Sequence, residues 1–251
     1  MKKLFLVTSC INVDNRYPLT YSDRRSFFDA SERLRQTIFT VNSIISRTPD
    51  ADIWLIDTSE NWPEYAVFFQ GYPQVKFLPF RQEFPDVYEQ VTQHPNKSLC
   101  ECLLLSSVML KMYREMAAFD YVFKLTGRYF INDSFDLSVL ENTPDKIFYK
   151  RPLGYEWDHG WNYDIVDRRA EQGNNLLYQY STVLHAWGRR YQLYYRDQFT
   201  AMAAMLSQPS MSHFNTESLN YFFTRPYAND IIETDWQITG WDGTNGNFLR
   251  Y

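Results

Sequence analysis

The chain has 251 residues, the size of one large domain or of a domain with an appendage. Hydrophobic residues make up 45% of it and charged residues 22%, a composition typical of a globular protein that builds a full core. The net charge is -5, from 25 basic and 30 acidic residues, which argues against the broad positive surface that binds long nucleic acids.

The cysteines and the apolar runs together predict a compartment. Cys10, Cys100 and Cys102 cannot all pair with one another and show no metal-type spacing with histidine, which favours reduced thiols in a cytosolic protein. The apolar run at residues 4–7 is too short for the core of a signal peptide. No stretch reaches the roughly 18 apolar residues of a membrane span. We therefore expect a cytoplasmic protein that associates at most peripherally with the inner face of a membrane.

The first half of the chain predicts strands and helices in alternation. Its continuous apolar runs are typical of buried parallel strands, and Leu34, Ile38, Val41 and Ile45 recur at helical spacing behind a cap at Ser31. The predicted elements are a strand at 3–8, a loop at 16–30, a helix at 32–47, strands at 51–59 and 74–80, a helix at 96–119 capped by Asn96 or Ser98, and a strand at 120–130.

This order predicts an α/β fold with a central, mostly parallel sheet, in which the first and fourth strands are central. Ligands of such sheets bind beyond the carboxyl ends of the strands. Thr8, Ser9, Asp57, Lys124 and Arg128 all lie near predicted carboxyl ends. We therefore expect the binding site at this edge of the sheet.

The second half of the chain is less regular. Its predicted elements are a strand at 146–152, an aromatic loop at 155–164, a strand at 176–188, helices at 190–206 and 216–223, a pair of short strands within 230–241 and a glycine-rich turn at 242–246. Since no linker or repeat separates the halves, we expect a single domain over 1–251.

Cationic residues carry most of the chemical signal. The four histidines are scattered, and the sequence has neither the glycine-rich phosphate loops nor the spaced zinc motifs. Lys124 and Arg128 lie where a buried strand leaves the core, and a cation there is costly unless an anion meets it. Two interpretations remain open. Either a ligand's diphosphate or carboxylate binds these cations, or they pair with acids nearby in the chain, such as Asp120, Asp133 or Glu101.

The stretches "TYSDRRSFFDASERLRQTIFTVNSIISRTPDADIWLIDTS", "NKSLCECLLL" and "FKLTGRYF" resemble a group of bacterial and viral glycosyltransferase-like proteins. These proteins are similar to GT-A-fold enzymes of surface polysaccharide synthesis (lipopolysaccharide, capsule or O-antigen). The resemblance covers roughly residues 1–135. It implies a GT-A-like (Rossmann-like) domain whose first half, 1–135, binds a nucleotide-sugar and whose second half, 136–251, binds a glycan or lipid-linked glycan acceptor. The implied activity is sugar transfer of the hexosyltransferase type.

One departure from that family concerns the metal. GT-A enzymes usually carry Asp-x-Asp at the end of the fourth strand, where it holds a divalent metal on the diphosphate. Here that strand ends in Lys124-Leu125-Thr126-Gly127-Arg128, and the nearest acids are Asp133 and Asp136. We expect the cations to replace the metal, Gly127 to allow close backbone approach, and the reaction to need no cofactor besides the nucleotide-sugar.

The resemblance also assigns candidate roles. The expected donor-binding residues are Thr8, Ser9, Arg25, Asp57, Lys97, Lys124, Thr126, Gly127 and Arg128. An inverting enzyme needs a carboxylate base, for which Glu217, Asp158 and Asp242 are the candidates. Glu217 opens a predicted helix, where the helix dipole favours an acid in any case. Trp157, His159 and Trp161 are candidates for acceptor binding, and Trp241-Asp242-Gly243 for a closing flap.

Two other classes of function remain open. Without the metal motif, the chain could be a catalytically inactive module that binds a sugar or a nucleotide. It could also be another nucleotide-dependent α/β transferase, such as a sugar-phosphate transferase or a methyltransferase.

Overall fold

The computed structural model describes residues 1–156, 176–211 and 214–250. Within these ranges the strands are β1 (Lys3–Ser9), β2 (Asp52–Asp57), β3 (Val75–Pro79), β4 (Tyr121–Thr126), β5 (Tyr129–Ile131), β6 (Ile147–Lys150), β7 (Leu153–Glu156), β8 (Leu176–Gln179), β9 (Leu184–Gly188), β10 (Ile231–Thr234), β11 (Ile238–Trp241) and β12 (Phe248–Arg250). The α-helices are α1 (Ala30–Arg47), α2 (Pro63–Ala66), α3 (Phe80–Glu83), α4 (Pro85–Gln93), α5 (Lys97–Lys111), α6 (Tyr113–Met116), α7 (Ser138–Asn142), α8 (Gln192–Leu206) and α9 (Thr216–Thr224).

A central sheet of seven of the described strands organises the fold, in the order β3-β2-β1-β4-β9-β6-β10. Its neighbours run parallel, except that β9 is antiparallel to both β4 and β6. The predicted α/β architecture, with a mostly parallel sheet flanked by helices and with β1 and β4 at its centre, is confirmed.

The apolar runs follow from burial on both faces of the sheet. Leu4 and Leu6 point into the core that contains α5 and α8, whereas Phe5 and Val7 point into the core against α1. All four side chains are fully buried. A strand covered on both faces needs apolar residues at every position, which explains why β1 reads as a continuous run.

Strand order reverses at β1, which pairs with β2 on one side and with β4 on the other. The register sets Thr8 opposite Thr126, and Ser9 opposite Asp57. The three strands therefore end at the same level. A reversal of this kind opens a crevice at the carboxyl ends, where α/β proteins bind ligands.

Several predicted boundaries differ from the structure. The cap of α1 is Asp29, whose carboxylate accepts from the backbone N–H of Glu32 at 2.8 Å; Ser31 lies within the helix and donates to Asp29. The predicted cap Asn96 is confirmed at α5. The predicted helix at 96–119 is divided at Met112 into α5 and α6.

Two predicted strands are also divided. The strand predicted at 120–130 forms β4 and β5, because the chain turns at residues 127–128. The strand predicted at 176–188 forms β8 and β9. β5 pairs with β11 in a small antiparallel sheet with β12, and β7 pairs with β8. Among the described helices, none combines the length and apolar character needed to cross a membrane.

Candidate functional site

A cleft of about 1200 Å³ opens at the carboxyl ends of β1 and β4. Its other walls are the loop after β1, helix α4, the first turns of α5 and α9, and the turn that joins β11 to β12. The predicted site residues that line it are Thr8, Ser9, Arg25, Lys97, Thr126, Arg128, Glu217 and Asp242. The fold thus brings most of the described candidates into one cavity.

Asp57 lies beneath the cleft. Its fully buried carboxylate accepts from the backbone N–H groups of Ile11, at 3.0 Å, and Ser59, at 2.9 Å. Burial raises the pKa of Asp57, and these hydrogen bonds oppose that rise. The structure therefore gives Asp57 the role of fixing the loop after β1, and direct contact with a donor remains a prediction.

Lys124 is also buried beneath the cleft, with 0% of its surface exposed. Its ammonium forms an ion pair with Glu101 and donates to the Thr182 carbonyl at 2.6 Å and to Thr126 Oγ1 at 2.9 Å. Of the two interpretations of this cation, the structure shows pairing with a local acid. Lys124 therefore lies beneath the surface of the cleft and holds two residues that line it, Thr126 and Thr182.

Gly127 lets the turn after β4 approach the end of β1 closely. Its N–H donates to the Thr8 carbonyl at 2.9 Å, and a Cβ here would lie 3.1 Å from that oxygen and 3.3 Å from Ser9 Cβ. The turn after β4 is therefore held tightly against the end of β1, which places Arg128 at the cleft.

Arg25 joins two walls of the cleft. Its guanidinium donates to the Tyr17 carbonyl at 2.6 Å and to the His94 carbonyl. These bonds tie the loop after β1 to the end of α4, and the half-buried side chain still lines the cleft.

A cluster of cations dominates the electrostatics, and we refer to Arg33, Lys97 and Arg128 as the cationic cluster. Within the described part of the chain, no carboxylate forms a salt bridge with any of the three. Arg128 Nε donates to the Trp241 carbonyl at 3.2 Å. Arg33, only 4% exposed, donates to the Cys10 carbonyl and to Ser26 Oγ.

Burial and mutual repulsion lower the pKa values of two of these cations. Burial, and then the charge of Arg128, lower the pKa of Arg33 to about 10. Desolvation, and then the charge of Arg128, lower the pKa of Lys97 to about 8, although the residue as a whole is exposed. An anion bound here would favour the charged form of both residues.

Two helix N-termini add to this positive potential. Asn96 caps α5 by accepting from the backbone N–H of Leu99 at 3.1 Å, and Asn215 caps α9 by accepting from Ser218 at 2.8 Å. A hydrogen bond from the backbone N–H of Thr216 to Ser98 Oγ holds the two ends together. Their first turns line the cleft, so the positive ends of both helix dipoles face it.

Glu217 is one of the carboxylates that line the cleft with the cationic cluster, and its charge acts on Lys97. It is half-buried and accepts from Thr182 Oγ1 at 2.7 Å. Burial, and then the neighbouring charge of Glu101, raise the pKa of Glu217, which brings it closer to the neutral range where a general base works best.

Asp242 shapes the rim of the cleft. Its Oδ1 accepts from the backbone N–H of Thr244 at 2.7 Å, and its carbonyl accepts from Gly246, which closes the turn between β11 and β12. The backbone N–H of Phe27 donates to the Gly243 carbonyl at 2.7 Å. This turn is thereby bonded to the loop on the opposite wall, and a closing movement of it remains a prediction.

The residues present do not fit a divalent metal at the position of the family's acidic motif. Thr126 bonds to the ammonium of Lys124, and Arg128 presents a cation. Asp133 pairs with Arg47, and Asp136 accepts from the backbone N–H of Ser138 at 2.8 Å; neither acid lines the cleft. In the described ranges, no group of three or more His, Cys, Asp or Glu side chains is placed to hold a metal ion.

The last four predicted site residues are one candidate base and three candidates for acceptor binding. Asp158, proposed as a base, and Trp157, His159 and Trp161, proposed for acceptor binding, lie outside the described residues.

Sequence reasoning missed Arg33 and Thr182. Arg33 belongs to a face of α1 that buries polar residues, together with Gln36, Thr37 and Thr40. A polar stripe on the buried face of a helix was the available signal. Thr182 lies between β8 and β9, and no sequence pattern connects it with α9.

Comparisons with known proteins give only distant structural likenesses. No protein-family model and no curated protein matches the sequence. A "Putative Glucose-1-Phosphate Thymidylyltransferase" from Bacillus anthracis, solved in complex with sucrose, is similar with a TM-score of 0.46 and 11% identity over 96% of this chain and 89% of that one. Mouse xyloside xylosyltransferase 1, in its apo form, is similar with a TM-score of 0.47 and 10% identity over 94% and 86% of the two chains.

Proposed function

We propose that the protein is a glycosyltransferase of the hexosyltransferase type. It moves a sugar from a nucleotide-sugar to a glycan or lipid-linked glycan in surface polysaccharide synthesis, and it needs no divalent metal. The observation that carries this proposal is the cationic cluster in a cleft at the point where strand order reverses.

The charge of the cleft fits a diphosphate. Cations that are partly removed from water are costly unless an anion compensates them, and no carboxylate of the described residues pairs with the cationic cluster. Guanidinium groups bind phosphate oxygens through paired hydrogen bonds, and an ammonium binds them as a point charge. The N-terminus of α5 adds backbone N–H groups to the same wall.

The site also holds the groups that sugar transfer requires. As the bond between the sugar carbon and the diphosphate oxygen breaks, its electron pair passes to the diphosphate, and Arg128, Lys97 and Arg33 stabilise that charge. The acceptor hydroxyl forms the new bond to the sugar carbon and gives its proton to the Glu217 carboxylate. This is an inverting reaction.

A ligand screen tests the proposal. In a screen of UDP-, GDP-, TDP- and CMP-sugars, we expect a sugar of the first three classes, which carry a diphosphate, to raise the melting temperature of the protein without Mn²⁺. We expect that compound to be turned over when an acceptor glycan is added. Binding with neither transfer nor hydrolysis would identify an inactive binding module. Stabilisation by S-adenosylmethionine in place of nucleotides would identify a methyltransferase. Either result would overturn the proposal.

A further inference from the structure

We infer that Lys124, Glu101 and Thr182 are positioning residues that hold the Glu217 carboxylate in place at the cleft. This inference rests on the proposed function, because it takes Glu217 as the base that accepts the proton of the acceptor hydroxyl. The three residues come from β4, from α5 and from the segment between β8 and β9, so the proposed base is held from three parts of the fold.

Hydrogen bonds connect the buried ammonium to the carboxylate. Lys124 Nζ donates to the Thr182 carbonyl at 2.6 Å, and Thr182 Oγ1 donates to Glu217 Oε1 at 2.7 Å. The backbone N–H of Tyr180 also donates to the Glu217 carbonyl, at 3.3 Å. One residue, Thr182, thus links a fixed charge in the sheet to the side chain at the start of α9.

The ion pair of Lys124 with Glu101 places a second carboxylate beside Glu217. Glu101 is on α5 and lines the same cleft. A fully buried ammonium is costly even when paired, and an apolar side chain of similar size would fill the same space without that cost. A role in positioning the Glu217 carboxylate and keeping it ionised explains why a cation occupies position 124.

The charges around Glu217 act in opposite directions. Glu101 raises the pKa of Glu217, whereas the Thr182 hydroxyl and the charge of Lys124 lower it. The other titratable groups that face Glu217 are Lys97 and Cys102 of α5 and Tyr21 of the loop after β1. Removing Thr182 Oγ1 and removing the Glu101 charge therefore shift the ionisation of Glu217 in opposite senses.

The pH dependence of turnover tests the network. A base must be ionised, so activity rises with pH through the pKa of Glu217. We expect Thr182→Val to move the rising limb of the pH profile to higher pH. At pH values on that limb, kcat should fall roughly tenfold, the scale of a hydrogen bond to a charged group. The KM for donor should not change. Thr182→Ser restores the hydroxyl and should restore the profile. We expect Glu101→Gln to move the limb to lower pH.

The matched control is Thr200→Val, which removes an exposed hydroxyl from α8 away from the cleft. It should leave the limb where it is. Limbs that stay fixed in Thr182→Val and Glu101→Gln, or that move in the same direction, would overturn the inference. The test does not use Lys124→Met, because that variant also leaves the Glu101 carboxylate without its ion-pair partner.

A direct titration separates this inference from the proposed function. In protein labelled with ¹³C at the glutamate carboxyl carbons, the signal lost in Glu217→Gln identifies Glu217, and its NMR titration reports ionisation without any substrate. Opposite shifts in Thr182→Val and Glu101→Gln would support the network even if no sugar were transferred. Unshifted titrations in an active enzyme would overturn the network and leave the proposed function standing.

Discussion

Arg128 reaches the cleft because three glycines allow the backbone around it to pack closely. Gly127 lies against the end of β1, and a Cβ on Gly243 would lie 2.8 Å from the Arg128 guanidinium carbon. A Cβ on Gly240 would lie 2.3 Å from the Arg128 carbonyl oxygen. Together with the hydrogen bond from Arg128 Nε to the Trp241 carbonyl, this packing restrains the side chain, which reduces the entropy that binding costs.

We predict that Arg128→Ala weakens the binding of a nucleoside diphosphate at least tenfold, because a charge-assisted contact contributes about 1.5–3 kcal/mol. Isothermal titration calorimetry on the folded variant measures this. Arg114→Ala, which removes an exposed arginine from α6 outside the cleft, is the matched control and should bind normally. Equal affinity in the two variants would leave Arg128 with a structural role only.

Lys97 gives a pH dependence with a definite sign. Its pKa in the free protein is lowered to about 8, and a diphosphate favours the charged form. As the pH rises through this value, binding must take up a proton, so affinity should fall between about pH 7 and pH 9. At the lower end of this pH range, Lys97→Met should bind the nucleoside diphosphate more weakly than the wild type does. Its affinity should not change with pH across the range. Persistence of the same slope in Lys97→Met would assign it to another group.

The Glu217 carboxylate should matter for turnover and little for donor binding. We predict that Glu217→Gln lowers kcat by about 10²–10⁴-fold, the usual effect of removing a general base, while the Kd for donor stays within about twofold. Glu233→Gln, an exposed substitution on β10, serves as the control. Normal turnover in Glu217→Gln would move the base elsewhere, to Asp158 or Asp242 first, or would indicate a retaining reaction.

At the scale of elements, the small sheet of β5, β11 and β12 holds the turn that carries Arg128. The backbone N–H of Trp241 donates to the Arg128 carbonyl at 3.2 Å, and Gly240 lies opposite Tyr129 in the ladder. A side chain at position 240 would also come within 2.7 Å of Tyr129 Cα. Position 240 therefore has no room for a larger residue.

We predict that Gly240→Ala destabilises the protein by about 1–3 kcal/mol, the range for inserting a methyl group into a packed position. It should weaken nucleoside diphosphate binding as well, because β5 and β11 must move apart. Chemical denaturation and calorimetry measure the two effects. Gly71→Ala is the matched control, since a Cβ there meets nothing within 4 Å. A Gly240→Ala variant as stable as Gly71→Ala would show that the two strands separate at no cost.

Periodicity predicted β1, α1, β2, β3, α5 and β4, because each of these elements has a continuous apolar run or face. It predicted none of the helices α2, α3 and α4. It failed where tertiary contacts decide the boundary. The break between β4 and β5 depends on Gly127 packing against β1. The cap of α1 depends on Asp29 reaching Glu32, when Ser31 was an equally good candidate by residue type.

At the scale of the whole molecule, the sheet edge that carries the cleft was predictable from the sequence, and the side-chain contacts within the cleft were not. Thr8, Thr126 and Arg128 follow from the rule that parallel strands end together. Arg33, 95 residues before Arg128 in the numbering, enters the cleft only through the packing of α1 on the sheet. The sequence left Asp120, Asp133 and Glu101 as possible partners of Lys124. In the structure the partner is Glu101.

The last prediction concerns the metal requirement of the proposed sugar transfer. In the resembling enzymes this strand ends in Asp-x-Asp. Here β4 ends at Thr126 and Arg128 follows it in the turn, with Arg33 and Lys97 lining the same cleft. Three fixed positive charges can stabilise a leaving diphosphate without a divalent ion. We therefore expect sugar transfer, measured as nucleoside diphosphate release with acceptor present, to continue at an unchanged rate in excess EDTA. Arg128→Ala should lose activity in EDTA, and added Mn²⁺ should not restore it, since Thr126 and Gly127 offer no carboxylate to hold the ion. If EDTA abolished wild-type transfer and Mn²⁺ restored it, the cationic cluster would not be the counter-charge of the leaving group. Asp133 and Asp136 would then be the first acids to mutate, and both would have to leave their present partners in order to bind a metal.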